Sequence, residues 1–228
     1  MPNYYPIMLD VRGRPAVVIG GDAIAAEKAG ALRACGARVT VISPMFCEQL
    51  QTEGEQGRVT LRRKAYERGD TAGAFVVVAA TSDQGLIEAL WAETQERGQL
   101  VNIVDVPARC TFIVPSILRR DQLTIAVSTE GASPGLAKRI RQHLESLFPA
   151  AYGPYLRLAA AARARLRASG VSYKRRDAFF GDFFASDVLA QLAAGDEVAA
   201  QATTAELLRR HGVDADVASS QQSVVSSQ

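Results

Sequence analysis

The chain carries an apolar run, Arg14-Pro-Ala-Val-Val-Ile-Gly-Gly-Asp-Ala-Ile-Ala-Ala-Glu-Lys28, that breaks at Gly20-Gly21 and resumes as an alanine-rich helical pattern. Continuous apolar, β-branched character over Ala16 to Ile19 predicts a strand covered on both faces, as in a parallel sheet. The glycine pair predicts a tight turn. The alanines predict a helix over Ala23 to Ala34, with Gly36 as its natural stop. At such a turn backbone N–H groups and a helix N-terminus face outward, an arrangement suited to the phosphates of a dinucleotide. Mapped onto G-x-G-x-x-G/A, the run reads Gly20, Gly21, Asp22, Ala23, Ile24, Ala25, so an acid stands at the second fingerprint glycine. A carboxylate there should weaken a pyrophosphate contact, and Asp22→Gly should tighten binding, unless the side chain turns outward or caps the helix.

The pattern then repeats. Arg38 to Ile42 is the second strand, closed by Ser43-Pro44, and Arg58 to Arg63 is a more polar third strand nearer an edge. Phe75 to Ala80 is a fully apolar fourth strand, and Thr81-Ser82-Asp83 caps a helix over Gln84 to Arg97. Leu100 to Val104 is the fifth. Strands alternating with helices predict a Rossmann-like, doubly wound α/β sheet, with ligands at the strand carboxyl ends: Gly20, Ser43, Thr81 and Asp105. The rhythm changes after Asp105. Phe112 to Pro115 and Gln122 to Ser128 read as strands around a charged turn, Arg119 to Asp121, and Ser133-Pro134 opens a helix ending at Leu147. From Ala150 to His211 the pattern is helical, interrupted near Gly170, Gly181 and Gly195. The expected division is a nucleotide-binding domain over 1–110, a small strand-containing dimerisation and active-site element over 111–148, an all-α substrate-side region over 149–212, and a disordered tail over 213–228.

Composition excludes the extreme classes. With 48% hydrophobic and 22% charged residues and a formal net charge of +2, the chain reads as globular, and a nucleic-acid partner is not expected. Cys35, Cys47 and Cys110 are too scattered for a disulfide framework or a structural zinc site, which favours a reducing, cytoplasmic setting. No apolar stretch is long enough to span a bilayer, so a membrane role is not expected. His143 and His211 are the two histidines, and no spacing such as H-x-x-x-H makes them metal ligands.

Five motifs in one order carry a specific resemblance: Val18-Ile-Gly-Gly-Asp-Ala-Ile-Ala-Ala-Glu-Lys28, Ala79-Ala-Thr-Ser-Asp83, Val101-Asn-Ile-Val-Asp-Val-Pro107, Phe112-Ile-Val-Pro-Ser116 and Val127-Ser-Thr-Glu-Gly-Ala-Ser-Pro134. Over residues 4–150 the chain resembles the precorrin-2 dehydrogenase/sirohydrochlorin ferrochelatase family, the siroheme-synthase N-terminal-type domain. The resemblance implies NAD-dependent oxidation of precorrin-2 to sirohydrochlorin, insertion of Fe²⁺ (or Co²⁺) in some members, and a homodimer that exchanges the segment after the nucleotide domain. It places the catalytic aspartate on Asp105. An acid at the end of a parallel strand can equally cap the Val-Pro turn, so position alone leaves both roles open. Gly20, Gly21, Asp22, Ala23, Ile24, Ser43, Pro44, Thr81, Asn102 and Val104 are the expected cofactor contacts. Ser43 leaves no carboxylate to repel a 2′-phosphate, so the preference for NAD over NADP rests on the resemblance alone.

The implied substrate is a polycarboxylate and needs cations. Lys138, Arg139 and Arg157 are expected to bind it, with Ser128 and Ser133 near the site; Arg163, Arg165, Arg167, Lys174, Arg175 and Arg176 crowd the region that follows. A solvated helix face is the competing reading of that cluster. Ser128 also falls where the resemblance implies a phosphorylation position, against ordinary strand-end hydrogen bonding. No methyltransferase domain is recognised, so methylation is expected to fall to another protein. Two further functions compete with the dehydrogenase: a protein acting mainly as ferrochelatase, and a non-catalytic NAD(H)-sensing module.

Overall fold

The computed structural model describes residues 4–213 and divides the chain into two compact units, one up to Val114 and one from Pro115. In the first unit β1 (Pro15–Ile19), α1 (Ala23–Ala34), β2 (Arg38–Ser43), α2 (Glu48–Glu55), β3 (Thr60–Arg63), β4 (Val76–Ala79), α3 (Gln84–Glu96) and β5 (Leu100–Ile103) alternate as the sequence predicts. The strands are all parallel, in the order β3-β2-β1-β4-β5. Side chains alternate across the sheet. Val18, Val41, Val76 and Val78 pack with Ala25, Ala26 and Ala29 of α1 and Leu50 of α2. Val17, Ile19, Ile42, Val77 and Val101 pack with Ile87 and Leu90 of α3 on the opposite face. The winding reverses between β1 and β4, and that reversal opens the crevice where such folds take ligands.

One buried acid ties the outer layer to this sheet. Glu93 of α3 has no solvent exposure, and its carboxylate accepts hydrogen bonds from the Tyr66 and Thr71 hydroxyls and, at 3.0 Å, from the Gly69 amide. The Arg97 guanidinium lies 3.1 Å away. The loop between β3 and β4 is thereby fixed to α3.

In the second unit β6 (Ser116–Arg120) and β7 (Leu123–Val127) form an antiparallel hairpin, followed by α4 (Pro134–Leu147), α5 (Tyr152–Ala168), α6 (Tyr173–Phe184), α7 (Val188–Ala193) and α8 (Glu197–Arg210). The hairpin and α4 belong to the same unit as the helices after them. The first hairpin strand is displaced from expectation. Phe112 to Pro115 is not a strand: the Asn102 side chain holds the Phe112 carbonyl at 3.0 Å, and Pro115 has no N–H to give a ladder. Arg119 and Arg120 lie in β6, and the turn is made at Asp121, whose φ of +56° reverses the chain. A second difference concerns Gly181, which lies inside α6. Phe179 and Phe183 bury one face of that helix completely, and this packing outweighs the roughly 1 kcal/mol that a helical glycine costs.

The helical core gathers Tyr155, Ala162, Leu166, Phe179, Phe183, Leu207 and Leu208. Val213, where the tail is expected to begin, is 5% exposed and packs into this core. The rest of that expected tail, 214–228, lies outside the described residues.

Candidate active site

The glycine turn is shaped by close backbone approach. Gly20 has φ +130°, and a Cβ there would stand 2.6 Å from the Ala80 carbonyl oxygen at the end of β4. A Cβ on Gly21 would stand 1.8 Å from the Met45 carbonyl oxygen and 2.6 Å from Ser43 Oγ. Gly21 therefore lets the Ser43-Pro44-Met45 segment close over the turn, and the Cys47 amide donates to its carbonyl at 2.7 Å. Asp22 is the N-cap of α1: Oδ1 accepts the Ala25 amide at 2.8 Å. The carboxylate is thus turned onto the helix it begins. The amides of Ala23 and Ile24 donate to nothing among the described residues, and both residues are exposed or nearly so. Two free N–H groups at the positive end of a twelve-residue helix fit one anionic group of a dinucleotide.

The remaining strand ends lie along the same edge of the sheet. Gly20 donates to Ile42 at 3.0 Å, Ala80 to Ile19 at 2.8 Å and Val104 to Ala79 at 2.9 Å, so the four ends are stitched together through their backbones. Thr81 Oγ1 accepts the Asp83 amide at 3.2 Å, and Asp83 caps α3. Asn102, near the end of β5, also ties down the chain that returns to the sheet. Its side-chain NH₂ donates to the Phe112 carbonyl at 3.0 Å, which holds the returning chain against β5.

Asp105 follows β5 with φ +60°, a left-handed conformation that costs an aspartate about 1 kcal/mol or more. It is exposed, and its carboxylate has no hydrogen bond or ion pair among the described residues. It therefore does not cap the Val-Pro turn. Neighbours hold the backbone in its place. Cys110 Sγ accepts the Ile103 amide at 3.2 Å and lies 3.3 Å from the Val106 carbonyl, while Thr111 Oγ1 accepts the Val101 amide at 2.8 Å. Burial pushes the Cys110 thiol's pKa upward, as befits a packed brace. This brace escaped the sequence reading of the site, in which Cys110 figures only as one of three scattered cysteines.

In the second unit Ser128 Oγ accepts the Glu130 amide at 3.0 Å, and Ser133 caps α4 by accepting the Leu136 amide at 3.3 Å. Lys138 and Arg139 are exposed on α4, and neither is ion-paired among the described residues. Arg157 is ion-paired with Asp121 at the hairpin turn, so its charge is already matched. His143 is exposed, and His211 lies 2.9 Å from Asp182.

Comparison with known proteins follows this layout. Residues 7–116 match a family of NAD(P)-binding modules, 120–147 the sirohaem biosynthesis protein central region, and 151–208 the sirohaem synthase dimerisation region. The siroheme synthase of Nitrosococcus oceani is 36% identical over 199 residues, covering 87% of this chain and 42% of that protein. That of Methylobacillus flagellatus is 37% identical over 207 residues, covering 91% of this chain and 44% of that protein. The chain thus spans less than half the length of these curated relatives. The solved structure of SirC, precorrin-2 dehydrogenase, superposes with a TM-score of 0.76 at 26% identity, covering 91% of this chain and 98% of that one. With three family regions matched in order and a structural likeness that spans nearly all of both chains, this chain belongs to the sirohaem-biosynthesis family that includes the precorrin-2 dehydrogenases and the siroheme synthases.

Proposed function

We propose that the chain oxidises precorrin-2 to sirohydrochlorin with NAD⁺ as acceptor. The observation that carries this reading is the Asp105 carboxylate, unpartnered and held in a left-handed turn at the same sheet edge as the free helix amides of Ala23 and Ile24. When bound, the nicotinamide supplies the hydride acceptor. The chain's own residues do the rest. Ala23 and Ile24 amides hold the pyrophosphate; Gly20 and Gly21 shape the turn; Ser43, Pro44, Thr81 and Val104 border the crevice. Asp105 takes the proton that leaves the macrocycle as the hydride departs, so one hydride and one proton are accounted for.

Substrate carboxylates are assigned to Lys138 and Arg139, which are free to accept them, with Ser128 and Ser133 in support and Arg157 joining by exchanging its partner Asp121 for a substrate carboxylate. A second copy of the chain is the assigned partner. Leu136, Ile140 and Leu147 of α4 are 51%, 39% and 54% exposed and recur at helical spacing, an apolar stripe that favours burial against another surface. Insertion of Fe²⁺ or Co²⁺, as substrate metals, is the further activity to test; Asp105 could receive the displaced pyrrole protons in that reaction too.

The experiment is turnover of precorrin-2 and NAD⁺ by the purified chain, followed through NADH and sirohydrochlorin absorbance and then by addition of Fe²⁺ or Co²⁺. NADH formation that Asp105→Ala abolishes supports the proposal. Full activity of Asp105→Ala removes the base, and metal insertion without NAD⁺ turnover would make the chain a chelatase instead.

A further inference from the structure

The arginine cluster after residue 160 is not used by this mechanism, and the fold gives part of it a definite shape. Arg163 and Arg167 are one helical turn apart on α5, and Tyr173, Arg176, Asp177 and Phe180 share a face of α6. Together they line a cleft of about 160 Å³. The Arg163 guanidinium lies 6.0 Å from the Phe180 ring centroid, and that of Arg176 lies 6.0 Å from the Tyr173 centroid. None of the three arginines is ion-paired among the described residues. Asp177 is the one acid of the lining, leaving an excess of positive charge.

Two features separate this cleft from a solvated helix face. The Arg163 and Arg176 guanidinium groups lie over aromatic rings rather than on carboxylates, and with Arg167 they keep their forks open for a planar acceptor. The walls between them are aromatic, and the volume is about that of a cavity able to hold one benzene ring.

We propose that the α5–α6 cleft binds a carboxylate-bearing planar ring, with the ring against Tyr173 and Phe180 and its carboxylates on Arg163, Arg167 and Arg176. The site is built wholly from the helical unit and stands whether or not the dehydrogenase reading does.

The test is titration calorimetry of the full chain with benzene-1,3,5-tricarboxylate and, separately, inorganic phosphate. Saturable binding of the tricarboxylate is expected. Arg167→Gln and Arg176→Gln should each weaken it about tenfold, as for loss of a charge-assisted hydrogen bond. Arg167→Lys should fall between the wild type and Arg167→Gln, because it keeps the charge and loses the fork. Tyr173→Ala, at a side chain largely in solvent, should weaken the tricarboxylate about fivefold and leave phosphate unchanged. Unaltered melting temperatures would show that the helical core is intact; Arg167 is exposed, so its variants keep the test decisive if Arg176→Gln unfolds. The proposal is overturned if the wild type shows no saturable binding, if the arginine variants bind as it does, or if phosphate binds as tightly as the tricarboxylate and Tyr173→Ala changes neither.

Discussion

The Asp22 carboxylate accepts the Ala25 amide at 2.8 Å, which makes the acid within the dinucleotide fingerprint the cap of the helix that the fingerprint begins. The second fingerprint glycine is replaced by a residue that satisfies one of the helix's orphan donors and leaves the two before it free. Asp22→Ala should therefore destabilise the chain by about 1 kcal/mol, and Asp22→Gly by only a few tenths. Neither should tighten NAD⁺ binding. Denaturant unfolding and calorimetry check both statements; tighter binding by Asp22→Gly would show that the carboxylate repels the cofactor despite its cap.

Gly21 and Gly30 are both in the first βα unit, and their alanine variants should move in opposite directions. At Gly21 a Cβ would sit 1.8 Å from the Met45 carbonyl oxygen, so the segment over the turn must shift and the Cys47–Gly21 hydrogen bond must stretch. A loss of about 1–3 kcal/mol and weaker NAD⁺ binding should follow. At Gly30 nothing lies within 4 Å of an added Cβ and the residue is in mid-helix, so Gly30→Ala should gain about 0.5–1 kcal/mol. Equal unfolding midpoints for the two variants would contradict the steric account of the turn.

Glu93 should set an acid limb to stability. Burial works to raise its pKa, but hydrogen bonds from Thr71, Tyr66 and Gly69, helped by the Arg97 charge, outweigh burial and hold it at about 2. A folded-state pKa below the unfolded one means stability that is present above about pH 4.5 and lost as the pH falls toward 2, on the order of 2–3 kcal/mol in all. Glu93→Gln removes that dependence. Its stability deficit relative to the wild type should shrink between pH 6 and pH 3 in chemical denaturation; a constant deficit would show that Glu93 does not titrate in this range.

These particulars show why parts of the molecule were legible in the sequence. The strands from Ala16, Arg38 and Phe75 are read from continuous apolar runs because both faces of a parallel sheet are covered, and Gly20-Gly21 marks the turn because no other residue permits both close approaches. The start of β6 was misread because its cause is remote: Asn102 holds Phe112, and no local pattern reports that bond. Glu93 was missed for the same reason, since its partners Tyr66 and Thr71 are 27 and 22 residues away. The position of Asp105 was legible; the absence of a partner for its carboxylate among the described residues was not, because it depends on where every neighbouring donor points.

Asp105 joins two properties that substitution can separate, its carboxylate and its left-handed backbone. The φ of +60° is imposed by the stitched ends of β4 and β5 and by the Cys110 and Thr111 brace. Asparagine tolerates that conformation as aspartate does, so Asp105→Asn should leave stability unchanged within about 0.5 kcal/mol. Glycine removes the steric cost, and Asp105→Gly should be stabilised by up to about 1 kcal/mol. Both variants lack the base, so both should lose about 10²–10⁴-fold in kcat for precorrin-2 oxidation while NAD⁺ affinity stays near that of the wild type. A merely structural Asp105 gives another pattern: Asp105→Asn would stay active, and Asp105→Gly would lose stability along with activity. Stability gained by glycine while turnover collapses in both variants would mean that the chain holds a strained turn in order to present a carboxylate.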